Sequence, residues 1–207
     1  MTTFSFHPVK HITTGEGGAI TTNDKNIYQK LLTLRSHGMT KDENDLLENH
    51  GNWYYEMQSL GYNYRMTDIQ AALGITQLNK SDNWVARRRE LVHKYDKEFQ
   101  SIDNLSYQLH PDFNKTYSYH LYIIQCSYRA ELYQFLKEKG INTQVHYIPI
   151  HLQPYYKNRF KFKRGDFPNA EKYYDRALSL PLYPGLSDNE QNRIIALVKE
   201  FYQNIDG

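Results

Sequence analysis

One lysine in this sequence stands among residues that could carry out covalent chemistry. Lys10 follows a short hydrophobic and aromatic stretch and precedes a glycine-rich turn at residues 15–18. A lysine amine can bond covalently to an aldehyde and then carry a proton, and the hydroxyl of Ser5 can donate a hydrogen bond to a phosphate. A lone lysine beside a glycine turn is usually a solvated side chain. The interpretation therefore depends on the spacing of Lys10 from Ser5 and from the turn.

A second candidate site lies in the polar and aromatic stretch at residues 144–156. Two histidines, His146 and His151, are five residues apart and could suggest a metal site. No nearby carboxylate or cysteine completes such a site, so a metal is disfavoured. Tyrosine rings and histidine tips in one stretch suit a small-molecule ligand instead.

The elements that must position these residues alternate between strands and helices, which predicts an α/β fold. In chain order we expect a strand and turn at 4–12, a strand at 19–22, a helix from 23–24 to about 38, a loop or short helix at 41–53, one long helix at 67–99, an irregular stretch at 101–114, a strand at 117–126, a helix at 130–139, a strand at 143–148, a helix at 168–178 and a last helix from 187 to about 202. Capping boxes at 67–70 and 187–190 mark two of the helix starts. Gly74 costs about 1 kcal/mol relative to alanine inside a helix, which predicts a close packing contact there.

The long helix is also where we expect the domain boundary, near residues 79–83. This division gives a first domain at 1–80 and a second at 81–207. A chain of 207 residues is long enough for one domain, or for one domain and part of another.

The composition excludes several classes of protein. A net charge of +2, with dispersed basic residues, is too small to indicate a nucleic acid or an anionic membrane as partner. The single cysteine, Cys126, excludes an internal disulfide and a thiolate metal cluster, and its apolar surroundings predict a buried, inert thiol. No apolar run approaches the roughly 20 residues that span a membrane, and the N-terminus lacks the features of a signal peptide. We therefore expect a cytoplasmic protein.

Ser5, Lys10 and the Glu-Gly-Gly turn at 16–18 together resemble the cofactor-lysine region of the DegT/DnrJ/EryC1/StrS family, the sugar aminotransferases that use pyridoxal phosphate. The resemblance implies that Lys10 is the catalytic lysine, which bonds to the cofactor and moves the proton, and that Ser5 donates to the cofactor phosphate. Some relatives carry histidine in place of this lysine and catalyse dehydration. Lys10 therefore favours transamination.

A second family motif matches residues 61–68. In the family its asparagine reaches across a homodimer interface to the cofactor phosphate of the other subunit, a role that the resemblance assigns to Asn63. Asn63 could instead cap a turn. Arg65 could contact the interface or a phosphate, or form a surface ion pair.

The stretch at 144–156 resembles the substrate loop of the subgroup that acts on UDP-linked 4-keto-6-deoxy sugars in pseudaminic acid biosynthesis. The implied reaction transfers an amino group, from glutamate, to C4 of the sugar. The rings of Tyr147 and Tyr155 could face a sugar or a uracil, and the tips of His146 and His151 could bond hydroxyls or phosphate. The implied substrate-binding residues are Gln144, Val145, His146, Tyr147 and His151.

The resemblance covers nearly all 207 residues but only the C-terminal part of such an enzyme. It implies a fold-type-I arrangement in which 1–80 is the C-terminal remnant of the large cofactor domain and 81–207 is the small C-terminal α/β domain. The family's upstream part supplies a phosphate loop, an aromatic that stacks on the cofactor and an aspartate for the ring nitrogen. The alternative hypothesis is therefore a truncated, non-catalytic α/β module.

Overall fold

The computed structural model of the chain describes residues 1–108 and 117–206. It divides into two compact units, Met1–Ser81 and Asp82–Gly207, and each is described by itself. The predicted irregular stretch at 101–114 is described only up to residue 108, and the rest of it lies outside the described residues.

The first unit is built around a β-hairpin and two helices. Its elements are β1 (Thr2–Ser5), β2 (Gly18–Thr21), α1 (Lys25–Leu34), β3 (Met39–Thr40), β4 (Glu56–Met57) and α2 (Asp68–Leu78). β1 pairs antiparallel with β2, and β3 pairs antiparallel with β4. The carboxylate of Asp24 accepts from the backbone amides of Asn26 and Ile27 and so begins α1.

The capping box predicted at the start of α2 is confirmed. The Thr67 hydroxyl accepts from the Gln70 amide, and the Gln70 side chain accepts from the Thr67 amide at 3.0 Å. These bonds satisfy two backbone donors that the first turn of a helix would otherwise leave unpaired.

The second unit combines a three-stranded sheet with the helices that follow and precede its strands. Its elements are α3 (Ser81–Phe99), β5 (Leu105–Tyr107), β6 (Tyr122–Cys126), α4 (Arg129–Glu138), a 3-10 turn (Ile150–Leu152), α5 (Pro154–Phe160), α6 (Pro168–Arg176), β7 (Ala177–Leu180) and α7 (Asp188–Asp206). The strand order is β5-β6-β7 and both pairings are antiparallel. The capping box predicted before α7 is confirmed, because the Ser187 hydroxyl accepts from the Glu190 amide and the Glu190 carboxylate accepts from the Ser187 amide.

The core of the second unit follows from the periodicity of its elements. On α3 the buried apolar residues recur at helical spacing, which is the apolar stripe of an amphipathic helix: Leu91, Val92, Tyr95 and Phe99. Arg88 is buried on the same helix and donates to the carbonyl oxygen of Leu182 at 2.9 Å. Along β6 buried and half-buried residues alternate, whereas all four residues of β7 are buried. The rings of Tyr95 and Tyr122 stack at 4.7 Å, and the Tyr122 hydroxyl donates to the Asp96 carboxylate at 2.9 Å.

Cys126 ends β6 and is fully buried, with its sulfur 3.8 Å from the carbonyl oxygen of Arg176. Burial raises the pKa of this thiol above its ordinary value. A buried thiol of raised pKa is a weak nucleophile, so Cys126 acts as a small apolar side chain of the core, as its apolar surroundings predicted.

Several predicted elements differ from the structure. The strand predicted at 117–126 begins only at Tyr122, and the stretch predicted as irregular at 101–114 contains β5. The single helix predicted at 67–99 is wrong, because α2 ends at Leu78 and α3 begins at Ser81. Asn79, Ser81 and Asp82 are of residue types that compete with the helical backbone for hydrogen bonds, which favours a break there. The helix predicted at 168–178 ends at Arg176 and gives way to β7.

The strand predicted at 143–148 is also absent. Gln144 makes one antiparallel bridge to Ser179, and the chain then leaves the sheet for the 3-10 turn at Ile150–Leu152. Pro149 has no amide hydrogen with which to extend the pairing. The predicted substrate loop therefore bonds to β7 only through its first residues, Gln144 and His146. Across residues 1–108 and 117–206, no helix has the length and apolar character needed to cross a membrane.

Candidate active site

The loop that carries Lys10 is closed by backbone hydrogen bonds just beyond the β1–β2 hairpin pairs. The Phe6 amide donates to the Gly17 carbonyl at 2.9 Å, and the Thr14 amide donates to the Phe6 carbonyl at 3.1 Å. Inside the loop, the Lys10 amide donates to the His7 carbonyl at 3.0 Å. The loop therefore has a defined backbone path that fixes the position of Lys10 relative to β1.

The glycine turn has the backbone that its sequence predicts. Gly17 has a φ of +146°, and a Cβ at this position would lie 2.6 Å from the Thr14 hydroxyl oxygen. Only glycine adopts this conformation without strain. The Thr14 hydroxyl donates to the Glu16 carbonyl at 2.7 Å, so Thr14, which is buried, fills the space that glycine leaves.

Helix α2 braces this turn from outside the hairpin. A Cβ on Gly74 would lie 2.9 Å from the Thr14 side-chain methyl, which confirms the close contact predicted for this glycine. The Gln70 side-chain amide also donates to the Glu16 carbonyl at 3.1 Å. The lysine loop is thus held both by the hairpin and by α2.

Ser5 and Lys10 are on this braced loop with their side chains accessible. Ser5 is exposed at the end of β1, opposite Gly18, and its hydroxyl oxygen accepts from the His7 amide at 3.4 Å. That bond leaves the hydroxyl hydrogen of Ser5 able to donate elsewhere. Lys10 is half-buried, and its amine forms no ion pair within the described ranges 1–108 and 117–206.

Asn63 lies on a separate part of the first unit, where it makes an antiparallel bridge to Ser36. Its neighbours are fixed as well, since the Tyr62 amide donates to the Leu34 carbonyl at 2.7 Å and the Tyr64 amide donates to the Arg35 carbonyl at 2.9 Å. The Asn63 side chain is exposed. A fixed backbone with an exposed amide side chain is compatible with a contact outside its own unit.

The predicted substrate-binding residues lie in the second unit, where the first of them are attached to β7. The Gln144 amide donates to the Ser179 carbonyl at 3.1 Å, and the Ser179 amide donates back to the Gln144 carbonyl at 2.9 Å. Val145 packs against the core. The His146 Nε2 atom lies 2.6 Å from the Ser179 hydroxyl, and burial lowers the pKa of this histidine, which favours the neutral ring.

His151 is buried at the far end of the loop and contacts a carboxylate. Its Nε2 atom lies 2.8 Å from Oε1 of Glu171, on α6. The Glu171 carboxylate also accepts from the Gly165 amide, at 2.8 and 3.0 Å to its two oxygens. The bond to His151 is the main cause that lowers the pKa of Glu171, so the carboxylate is ionised at neutral pH. In this structure His151 is directed at Glu171 and away from solvent.

Tyr147 is the most exposed of the predicted ligand contacts, with 89% of its surface accessible. Sequence reasoning missed the two partners that hold the loop, Ser179 and Glu171. Ser179 is a polar residue inside an apolar run, which is a detectable signal, but nothing local links Glu171 to a histidine twenty positions earlier. In the part of the chain that the structure describes, no group of three or more His, Cys, Asp or Glu could hold a metal ion.

Solved chains that resemble this structure are aminotransferases. PseC of Helicobacter pylori, described as an aminotransferase of pseudoaminic acid biosynthesis, is similar with a TM-score of 0.84 and 33% identity over 98% of this chain and 53% of its own. A Streptococcus pneumoniae chain, Spr1654 in its PLP-form, has a TM-score of 0.84 and 33% identity over 99% of this chain and 52% of its own. The fold is therefore part of the α/β fold of pyridoxal-phosphate-dependent aminotransferases, as predicted.

The family follows from the sequence comparison. The model of the DegT/DnrJ/EryC1/StrS aminotransferase family matches residues 1–199, and the chain belongs to that family. It is 41% identical to the spore coat polysaccharide biosynthesis protein SpsC of Bacillus subtilis over 99% of this chain and 54% of that protein. It is 40% identical to the UDP-4-amino-4,6-dideoxy-N-acetyl-beta-L-altrosamine transaminase of Campylobacter jejuni over 87% of this chain and 46% of that protein. The chain spans about half the length of the relatives it matches.

The residues present fit the cofactor of this family in two respects. Lys10 offers an amine without an ion-pair partner among the described residues, and the Ser5 hydroxyl has a hydrogen left to donate to a phosphate. Both are carried by one braced loop, so their relative placement is fixed by the backbone. The predicted cofactor class, pyridoxal phosphate, is that of the family and of its solved neighbours.

Proposed function

We propose that this chain supplies the cofactor lysine of an aminotransferase that acts on a UDP-linked 4-keto-6-deoxy sugar and takes its amino group from glutamate. The braced loop that carries Lys10 and Ser5 is the observation that supports the proposal most directly. A lysine in a loop held by both a hairpin and a packed helix costs little further ordering when it reacts.

Each residue has a separate part in this proposal. Ser5, and Asn63 of the partner subunit in a homodimer with a shared site, hold the cofactor phosphate by hydrogen bonds. Pyridoxal phosphate, when bound, supplies an electron sink for the substrate carbon. Lys10 would hold the cofactor through its Nζ atom, and the same amine, when free, would take up and return the proton of the substrate carbon.

The substrate class is supported by the relatives and by the loop in the second unit. The Campylobacter jejuni relative is a transaminase of a UDP-linked amino sugar, and PseC is described in terms of a related biosynthesis. We place the sugar nucleotide against residues 144–151, with Gln144, Val145, His146 and Tyr147 as its predicted contacts. His151, the fifth contact predicted from the sequence, is 6% exposed and bonded to Glu171, so it does not face a ligand in this structure. The exposed ring of Tyr147 suits the face of a sugar or a uracil.

A second candidate function is a non-catalytic α/β module. Exposed apolar side chains in the first unit favour it. Ile69 on α2 and Leu60 before it are each 85% accessible. Neither α1 nor α2 contains a buried residue. Apolar surface of this kind is normally covered by a further segment or partner. The module would then bind a sugar nucleotide weakly, or associate with itself, without catalysing transamination.

Cofactor labelling separates these two functions. The purified chain is incubated with pyridoxal phosphate and reduced with borohydride, which makes any lysine–cofactor bond permanent, and the modified peptide is found by mass spectrometry. We expect one equivalent of label on Lys10, its loss in Lys10→Arg, and full retention in the matched control Lys30→Arg, which changes an exposed lysine of α1. A separate sample, loaded with pyridoxal phosphate but not reduced, should then be assayed with glutamate and UDP-linked keto sugars.

The contrary result is label spread over several lysines at low stoichiometry. That outcome contradicts cofactor binding by this chain and favours the non-catalytic module. The proposal also keeps the cytoplasmic location that we expect from the sequence.

A further inference from the structure

We infer that Glu171 is a positioning residue that orders the loop at 144–151 by holding His151, and that the loop thereby presents Tyr147 to a ligand. We call the Glu171–His151 contact the latch. The inference rests on the proposed function only where it calls 144–151 a substrate loop.

The latch is buried and its carboxylate is fully engaged. Glu171 and His151 are 8% and 6% exposed in their side chains. One Glu171 oxygen accepts from His151, both accept from the Gly165 amide, and the Arg164 guanidinium lies 4.0 Å from the second. An ionised carboxylate only accepts, so the His151 Nε2 atom carries the hydrogen in this contact. Buried, charge-assisted bonds of this kind are among the strongest that a side chain makes.

The histidine ring is also held by packing. Phe167 lies against His151 with ring centroids 4.7 Å apart, and Phe162 contacts Phe167 at 5.4 Å. The ring of His151 therefore has one position, set by a carboxylate at its tip and by an aromatic side chain beside it.

Two anchors bound the loop. At its start, Gln144 and His146 bond to Ser179 of β7, and at its end His151 bonds to Glu171 of α6. Tyr147 is exposed between these anchors. A short segment that is fixed at both ends loses little conformational entropy when the residue between the anchors contacts a ligand. Pre-organisation of this kind raises affinity.

A simpler role for Glu171 is local. It lies in the first turn of α6, where a carboxylate is favoured, and its bonds to the Gly165 amide could serve the turn before that helix and nothing more. The two roles differ in how far along the chain the loss of the Glu171 charge should be felt. A local role affects only the turn before α6, whereas a latch also affects the residues around His151.

Amide hydrogen exchange shows which backbone amides lose protection in the variant. The Gly165 amide reports on the carboxylate itself, and the Leu152 and Gln153 amides, which donate to Pro149 and Ile150, report on the 3-10 turn beside His151. The Gln144 amide reports on the other anchor. In Glu171→Gln we expect exchange to accelerate on the order of tenfold at Gly165, Leu152 and Gln153, with Gln144 changed by less than about twofold.

Two histidine variants and one glutamate control sharpen the result. His151→Gln keeps a donor at the position of Nε2 and should retain protection, whereas His151→Leu should reproduce Glu171→Gln at Leu152 and Gln153. Glu131→Gln removes an exposed glutamate from the first turn of α4 and should change none of these amides. Acceleration confined to Gly165 in Glu171→Gln, or equal protection in the two His151 variants, overturns the latch.

Binding of UDP, measured by calorimetry, then connects the latch to the proposed function. We expect Glu171→Gln to weaken binding by roughly five- to tenfold and Glu131→Gln to leave it unchanged. Unchanged affinity in Glu171→Gln overturns the part of the inference that concerns ligand presentation. If the unsubstituted chain binds no UDP, the proposed substrate class fails, and the exchange pattern alone decides whether Glu171 orders the loop.

Discussion

Replacing Gly74 by alanine tests whether α2 braces the lysine loop. The added Cβ would lie 2.9 Å from the Thr14 methyl carbon, whereas carbon atoms in contact are ordinarily about 3.5–4.0 Å apart. Thr14 has little freedom to move away, because it is 4% exposed and its hydroxyl donates to the Glu16 carbonyl at 2.7 Å. The contact must therefore be relieved by a shift of α2 or of the loop.

The expected magnitude is the difference between two opposing effects. Alanine is favoured over glycine inside a helix by about 1 kcal/mol. Overpacking a close contact costs roughly 1–3 kcal/mol, so we expect Gly74→Ala to destabilise α2 and the loop by about 1 kcal/mol net. This corresponds to about a fivefold rise in the opening equilibrium of the first unit.

Thr14→Ser supplies the matched background, because it removes the methyl group and keeps the hydroxyl that bonds to Glu16. In this background Gly74→Ala should stabilise α2 by about 1 kcal/mol, since only the helix preference remains. The two substitutions should then couple by about 2 kcal/mol in a double-mutant cycle.

Amide exchange along α2 measures the free energy of opening in the unsubstituted chain, the two single variants and the double variant. The rate of cofactor labelling at Lys10 reports on the order of the loop. Labelling should slow in Gly74→Ala and recover in the double variant. The reasoning is refuted if Gly74→Ala stabilises α2 equally in both backgrounds.

Two further predictions concern the second unit. Burial lowers the pKa of His146 below its ordinary 6.5, so the unfolded chain binds this proton more readily and the free energy of unfolding should fall as pH drops below about 6.5. His146→Gln should flatten that part of a pH series of urea denaturation curves, and an unchanged slope would contradict the assignment. Tyr122→Phe removes the donor to the Asp96 carboxylate and should cost about 2 kcal/mol in urea denaturation, whereas the exposed control Tyr128→Phe should change stability by less than about 0.5 kcal/mol; equal costs would refute a role for this bond.

Local signals predicted the parts of the fold that depend on local chemistry. The capping boxes before α2 and α7 were predicted because a hydroxyl three residues before a glutamine or glutamate satisfies backbone donors in either context. The contact at Gly74 was predicted because glycine is costly in a helix unless something lies close to it. In each case the physical cause and its sequence signal lie within a few residues.

Predictions failed where distant residues decide the outcome. Helical periodicity that continues across 67–99 concealed the break between Leu78 and Ser81, because the apolar spacing of α3 continues that of α2. Residues 143–148 alternate like a strand, yet Ser179 pairs with Gln144 alone before the chain turns away. For the site, residue types led us to predict ligand contacts at 144–151, which stays a prediction. They could not show that His151 forms its hydrogen bond with Glu171.

The buried thiol of Cys126 provides a built-in chemical probe for the opening of the second unit. As the chain's single cysteine, and fully buried in β6, it is closed to a water-soluble thiol reagent while the sheet is intact. Its rate of reaction in native buffer therefore measures how often the middle strand, β6, becomes exposed, and no dye or substitution is needed. Since the first unit contains no cysteine, the thiol reaction measures opening of the second unit alone and does not report on the lysine loop.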